Sequence, residues 1–192
     1  MNAAIPLSAM SRDQQQAWLQ STLGFDQLDL QTNRAGGLSD KQQQKMSAIG
    51  LLALVFSLGF PLMCIVPFGL LGLASLFPGA PDDYRTGLLC LCPACSIYLI
   101  TLFVLPASIQ RLRDARDGQA LVAAGQCRII QSHHWPLRSR PGYTNTLCVV
   151  GGQILTVTGR APSRQAVAQM QGQVWRCYYA PHTKFLMSIE PA

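Results

Sequence analysis

The chain has 192 residues, of which 49% are hydrophobic and only 12% are charged, and its formal net charge is +6. Globular domains usually carry about 25% charged residues, so this composition excludes a single ordinary globular domain and indicates long apolar segments. The seven cysteines are an odd number, which argues against the paired disulfide framework of a small secreted protein.

The N-terminal segment, residues 1–46, is predicted to form short helices on the cytoplasmic side. Ser11–Gln14 has the spacing of a capping box and predicts a helix that ends before Gly24. Ser39–Gln42 has the same spacing and predicts the start of the next helix. The first helix could lie on a membrane surface, or it could pack on the C-terminal domain or on its neighbour. We favour packing, because Arg12 is its only basic residue.

Two apolar runs, residues 47–77 and 87–109, dominate the middle of the chain. Neither contains Lys, Arg, Asp, Glu or His. A run of about 18 or more apolar residues is typical of a helix that crosses a membrane. The sequence therefore predicts a transmembrane helical hairpin over residues 47–110, with an external loop at 78–86.

Basic residues near the two apolar runs predict the orientation of this hairpin. Lysines precede the first run, three arginines follow the second, and the connecting loop holds one arginine. Because Lys and Arg concentrate on the cytoplasmic side of membrane segments, both termini are expected in the cytoplasm. The predicted location is the cell (inner) membrane, as a multi-pass protein.

The C-terminal part, residues 111–192, is predicted to be a small α+β domain with mostly antiparallel strands. The pair Gly151-Gly152 lies between two β-rich runs and predicts a tight hairpin. A second hairpin is predicted from 174–179 and 185–189, with a short helix that starts at Ser163 before it.

A cluster of cysteines in the second apolar run is the most suggestive chemical pattern. Cys90, Cys92 and Cys95 include a C-x-x-C pair, and Cys64 lies in the first run. Such cysteines could form a redox pair or a metal site, with Cys64 as a fourth ligand. We favour a structural role, because cysteine is a common small apolar residue and Cys64 is expected at a different depth.

Basic residues predict a binding surface on the C-terminal part, where ten basic and three acidic residues give a net charge of +7. The charge could dock this part on anionic lipids of the inner leaflet or bind a partner protein, and the alternative is a plainly solvated basic surface. Nucleic acid is not expected, because no recognised binding motif is present. The candidate binding residues are Arg111, Arg113, Arg116, Arg138, Arg140 and Arg164.

No catalytic motif is present in the sequence: we find no P-loop, no G-x-S-x-G and no H-E-x-x-H. The layout resembles small bacterial double-spanning membrane proteins with a cytoplasmic β-rich tail. The resulting prediction is a non-enzymatic integral membrane protein without a cofactor, anchored in the lipid bilayer and binding a protein partner or forming a homo-oligomer through its transmembrane helices. The alternatives are a membrane redox or metal-binding protein and an accessory subunit of a larger membrane complex.

Overall fold

The computed structural model describes residues 9–74, 104–133, 144–157 and 162–192, without the side chains of residues 60–69, 71–74, 133, 144–145 and 164. The described residues form two compact units. The first, called here the globular unit, joins the residues up to Gln43 with those from Asp117 onward, and the second runs from Gln44 to Arg116. The helices are α1 (Arg12–Leu23), α2 (Gln27–Arg34), α3 (Asp40–Ala74), α4 (104–117) and α5 (Arg164–Met170).

Six strands of the globular unit form one mixed sheet in the order β1-β5-β6-β4-β3-β2. Neighbouring strands are antiparallel except β4 and β6, which pair in parallel. Both predicted hairpins are confirmed. The strands are β1 (Leu121–Gln126), β2 (Arg128–His133), β3 (Thr144–Val150), β4 (Gln153–Val157), β5 (Val174–Tyr179) and β6 (Phe185–Pro191).

The sheet curls so that its two ends meet. Strands β1 and β2 stand at opposite ends of the strand order, yet only Cys127 separates them in the chain. The turn between β3 and β4 also reaches β1, since a Cβ added to Gly151 would lie 2.8 Å from the carbonyl oxygen of Ala124. Gly151 has a φ of 55°, a left-handed conformation that favours glycine. The sheet is therefore closed at this point by direct backbone contact.

The core of the globular unit lies between the curled sheet and the N-terminal helices. Leu19 of α1 and Leu30 of α2 are buried in the same cluster as Trp175 and Ile189 of the sheet. The side-chain amide of Gln16 in α1 donates to the carbonyl of Ile189 at 3.4 Å. The prediction that the first helix packs on the C-terminal domain is therefore confirmed.

The helix boundaries follow the local capping signals. Ser11 and Gln14 form a reciprocal capping box at the start of α1, and Gly24 ends that helix with a φ of 77°. Ser39 and Gln42 likewise exchange side-chain and backbone hydrogen bonds at the start of α3. These sequence predictions are confirmed, and the capping hydrogen bonds set where α1 and α3 begin.

The predicted transmembrane hairpin needs correction. No helix in the described part of the chain is long and apolar enough to cross a membrane. The predictions of an integral membrane protein, of a multi-pass inner-membrane location and of bilayer anchoring are therefore wrong. The loop at 78–86 and residues 87–103 of the second run lie outside the described residues.

In the second unit, α3 and α4 pack closely where a glycine removes side-chain bulk. A Cβ added to Gly50 would lie 3.1 Å from the Leu112 side chain and 3.3 Å from Cβ of Arg111. Glycine therefore permits a close approach of the two helices at this position. The large apolar side chains of α3 that remain exposed in the described part are Ile49, Leu51, Leu52, Val55, Phe56, Leu58 and Leu70.

Candidate functional site

A buried carboxylate organises the most polar region of the globular unit. Glu190 lies on β6 directly opposite Arg176 of β5, and its side chain is only 5% exposed. The carboxylate accepts a hydrogen bond of 2.7 Å from the Tyr178 hydroxyl and one of 3.4 Å from the Arg176 guanidinium. Arg34 of α2 donates to it from Nε at 2.8 Å and from a terminal guanidinium nitrogen. One carboxylate thus links the sheet to the second helix.

Contacts within this network stabilise the charged forms of Glu190 and Arg34. Burial alone would raise the pKa of Glu190, but hydrogen bonds from Arg34 and Tyr178 outweigh burial and lower that pKa below its ordinary value of 4.5. The hydrogen bond to Glu190 raises the pKa of Arg34. Burial, followed by donation to Glu190, raises the pKa of Tyr178. At neutral pH the carboxylate is therefore ionised and the phenol keeps its proton.

A polar cavity of about 560 Å³ lies over this network, and three guanidinium groups share its wall. The side chains of Arg34 and Arg176 remain about half exposed although both contact Glu190. Arg12 of α1 adds a third guanidinium at the cavity wall. The remaining lining residues are Asp13, Gln16, Ala17, Gln20, Gln27, Leu30, Glu190, Pro191 and Ala192. We call this cavity the arginine pocket.

Hydrogen bonds beneath α2 hold Arg34 at the pocket. The Asn33 amide donates to the Ser188 hydroxyl at 2.7 Å, and both residues are buried. Asp29 is also buried and accepts a hydrogen bond from the Ser39 hydroxyl, while its other carboxylate oxygen accepts from the Asp26 backbone at 3.0 Å. Because a buried polar group that loses its partner destabilises the fold, the Asn33–Ser188 bond holds α2 against β6. The two Asp29 bonds hold the start of α2 and join it to Ser39.

Removing the Tyr178 hydroxyl tests the network without changing its charge. We expect Tyr178→Phe to lower the free energy of unfolding by about 1.5–3 kcal/mol, because the hydroxyl donates to an ionised acceptor. Urea denaturation followed by circular dichroism measures this change. In a protein that already carries Glu190→Gln, the same substitution should lower the free energy of unfolding by less. An equal decrease in both proteins would show that the hydroxyl acts independently of the carboxylate.

The arginine pocket has unused donors for an anion. A guanidinium carries five N–H groups in a planar fork. Arg34 contacts Glu190 through two of its nitrogens and Arg176 through one, and both side chains still have exposed surface at the cavity. A guanidinium held in place by one carboxylate can present its other edge to a second carboxylate, often in a bidentate pair. Chemically, the pocket is suited to bind anions.

No protein-family model, curated protein or solved structure matches the chain. The arginine pocket has three arginines against Asp13 and Glu190, so the ionised side chains of its lining carry a net charge of +1, which favours an anionic occupant.

The residues predicted from the sequence as a binding surface lie elsewhere or outside the described residues. Arg111, Arg113 and Arg116 are on α4, and Arg164 is the first residue of α5, where its side chain is not described. Arg138 and Arg140 lie outside the described residues. The described members of this set do not line the arginine pocket, and their binding role stays a prediction.

The predicted cysteine cluster cannot be placed either. Cys90, Cys92 and Cys95 lie outside the described residues, and Cys64 belongs to a part of α3 without described side chains. Among the residues that the structure does describe, no group of three or more His, Cys, Asp or Glu side chains is arranged to hold a metal ion.

One residue in the sequence indicates the site. Glu190 is the only glutamate in the chain, and it follows an apolar residue within a β-rich run. A single carboxylate in such a run has to be paired when the strand is buried. Its partners could not be identified from spacing, because Arg34 lies 156 residues away in the chain.

Proposed function

We propose that the protein is a non-enzymatic binding protein whose arginine pocket accepts an acidic segment of a partner protein. The observation that carries this proposal is the pair Arg34 and Arg176, both held by the buried Glu190 and both half exposed at the cavity. Arginines whose orientation is fixed before binding lose less side-chain entropy when a carboxylate arrives. This arrangement favours a specific anion contact over a diffuse basic surface.

The side chains that surround the pocket favour binding over proton-transfer chemistry. General acid–base catalysis works best with a group whose pKa lies near the working pH. At the pocket, the pKa of Glu190 is lowered and that of Tyr178 is raised, so both move away from neutrality. The arginines stay protonated throughout the physiological range. These groups hold fixed charges and hydrogen bonds, which suits recognition.

Fluorescence anisotropy of the full-length protein with labelled hexaglutamate tests the proposal, with hexaglutamine as the neutral probe. We expect hexaglutamate to bind and hexaglutamine not to bind. Arg12→Gln and Arg176→Gln should each weaken binding roughly tenfold or more, because each removes a charge-assisted hydrogen bond at the pocket.

Arg128→Gln is the matched control, since it removes an exposed arginine on β2 that does not line the pocket. It should leave hexaglutamate affinity within about twofold, allowing only for the change in net charge. Equal weakening by all three substitutions would contradict the proposal, because it would show attraction to overall charge. Preferential binding of a single-stranded oligonucleotide over hexaglutamate would contradict it as well.

A further inference from the structure

Three buried thiols lie together in the core of the globular unit, away from the arginine pocket. Cys127, Cys148 and Cys177 are each at most 2% exposed and belong to the same hydrophobic cluster. The sulfur atoms of Cys127 and Cys148 are 3.2 Å apart. Two sulfurs at this distance need to approach by only about 1.2 Å to reach the bond length of a disulfide, about 2.05 Å.

The backbone places this pair at the closure of the curled sheet. Cys127 is the single residue between β1 and β2, where the two ends of the strand order meet. Its backbone N–H donates to Gln173, and its carbonyl accepts from Gly172 at 2.8 Å. Cys148 lies on β3 opposite Ile129 of β2, two residues beyond Cys127. A bond between the two sulfurs would therefore join the sheet closure to the centre of β3.

We propose that Cys127 and Cys148 form a disulfide when the protein meets a peroxide oxidant, and that this bond locks the closure of the sheet. With hydrogen peroxide, two S–H bonds and one O–O bond break, while one S–S bond and two O–H bonds form, and two molecules of water leave. The sulfurs are oxidised, and the peroxide oxygens are reduced.

The surroundings of the pair set the rate of this reaction. Hydrogen bonding to Cys148 and burial raise the pKa of Cys127 far above the usual thiol range. Hydrogen bonding with Cys127 lowers the pKa of Cys148, but hydrogen bonding with Cys177 and burial together raise it to about 12. Because the thiolate is the reactive form, the pair should stay reduced without an oxidant and react slowly with one. The rate should increase with pH.

Peptide mapping of the full-length protein tests the proposal directly. Trypsin places the three thiols on separate peptides, residues 117–128, 139–160 and 177–184. After treatment with hydrogen peroxide and alkylation of remaining thiols under denaturing conditions, we expect a cross-linked peptide that joins 117–128 to 139–160. Reduction should release both peptides. The oxidised protein should also melt roughly 5–10 °C higher, because the bond closes a loop across the sheet.

Two serine variants show which pair of the three cysteines forms the disulfide. Cys177→Ser should leave the cross-linked peptide in place, whereas Cys127→Ser should abolish it and leave Cys148 open to alkylation. Circular dichroism establishes that each variant is folded before oxidation. A cross-link between 139–160 and 177–184, or full alkylation of Cys127 and Cys148 after prolonged peroxide treatment of the folded protein, would overturn the proposal.

Discussion

Replacing Trp175 by alanine is expected to lower the free energy of unfolding of the globular unit by about 3–5 kcal/mol. The indole is 1% exposed and lies on β5 within the main hydrophobic cluster. Its Nε1–H donates to the carbonyl of Met170, the last residue of α5, at 3.0 Å. The substitution therefore leaves a large cavity and removes the shorter of the two hydrogen bonds that the Met170 carbonyl accepts, the other coming from the backbone N–H of Gln173. Urea denaturation monitored by circular dichroism measures the change.

Val174→Ala is the matched control, because Val174 neighbours Trp175 on the same strand but is 54% exposed. It should change the free energy of unfolding by less than about 0.5 kcal/mol. Trp175→Phe keeps most of the apolar volume and removes the hydrogen bond. Its loss of unfolding free energy should therefore lie between those of Val174→Ala and Trp175→Ala. Similar losses for Val174→Ala and Trp175→Ala would show that β5 does not have a buried and an exposed face at this position.

Local sequence signals predicted much of the globular unit. Turn glycines, capping serines and β-rich runs each act over a few neighbouring residues, and the structure has the hairpins and helices that they indicate. Strand alternation puts Trp175 and Cys177 on one face of β5, and both are buried. Tyr178 lies on the other face of the strand and is buried as well. Its hydroxyl bonds Glu190 in the network that Arg34 of α2 joins, so both faces of the strand are used here.

The arginine pocket could not be predicted in the same way. Arg34 and Glu190 are separated by nearly the whole chain, as are Asn33 and Ser188. Contacts between such distant residues depend on how whole helices and strands pack together. The spacing of residues within one segment does not predict these contacts. The sequence predicted that the first helix packs on the C-terminal domain, but it did not indicate that the N-terminal helices supply two of the pocket's arginines.

The apolar run after Met46 shows what hydropathy determines and what it does not. Its helical state follows from the sequence, and α3 extends through Pro61 and Pro67 to Ala74. Run length shows that a segment avoids water, but it does not identify the surface that the segment meets. The prediction of a membrane span was wrong for this reason, since no helix in the described part of the chain is long and apolar enough to cross a membrane.

Glu190→Gln is expected to lower the free energy of unfolding by about 2–3 kcal/mol at neutral pH. The amide keeps the shape of the side chain but leaves Arg34 and Arg176 without an ionised partner. Asp13→Asn is the matched control, since it removes an exposed carboxylate at the same pocket. The control should change stability by less than about 0.5 kcal/mol. Equal effects of the two substitutions would mean that the buried carboxylate is not what stabilises the network.

Glu190→Gln also distinguishes two explanations of the proposed binding, namely the fixed orientation of the arginines and the net charge of the pocket. Removing the negative charge of Glu190 makes the pocket more positive, so attraction to charge alone predicts tighter binding of hexaglutamate. If Glu190 instead orients Arg34 and Arg176, the arginines become less ordered and binding weakens. We expect weaker binding by anisotropy, and tighter binding would contradict the role given to Glu190.

The pH dependence of stability provides an independent measurement of the same carboxylate. The pKa of Glu190 in the folded protein is lowered below its ordinary value of 4.5, so between the two values the unfolded chain binds more protons. Its contribution to stability is therefore present above about pH 4.5 and is lost as the pH falls through the folded pKa. Urea denaturation from about pH 7 to about pH 3 should show that the difference in free energy of unfolding between wild type and Glu190→Gln decreases on acidification. A difference that stays constant with pH would show that the ionised carboxylate is not its cause.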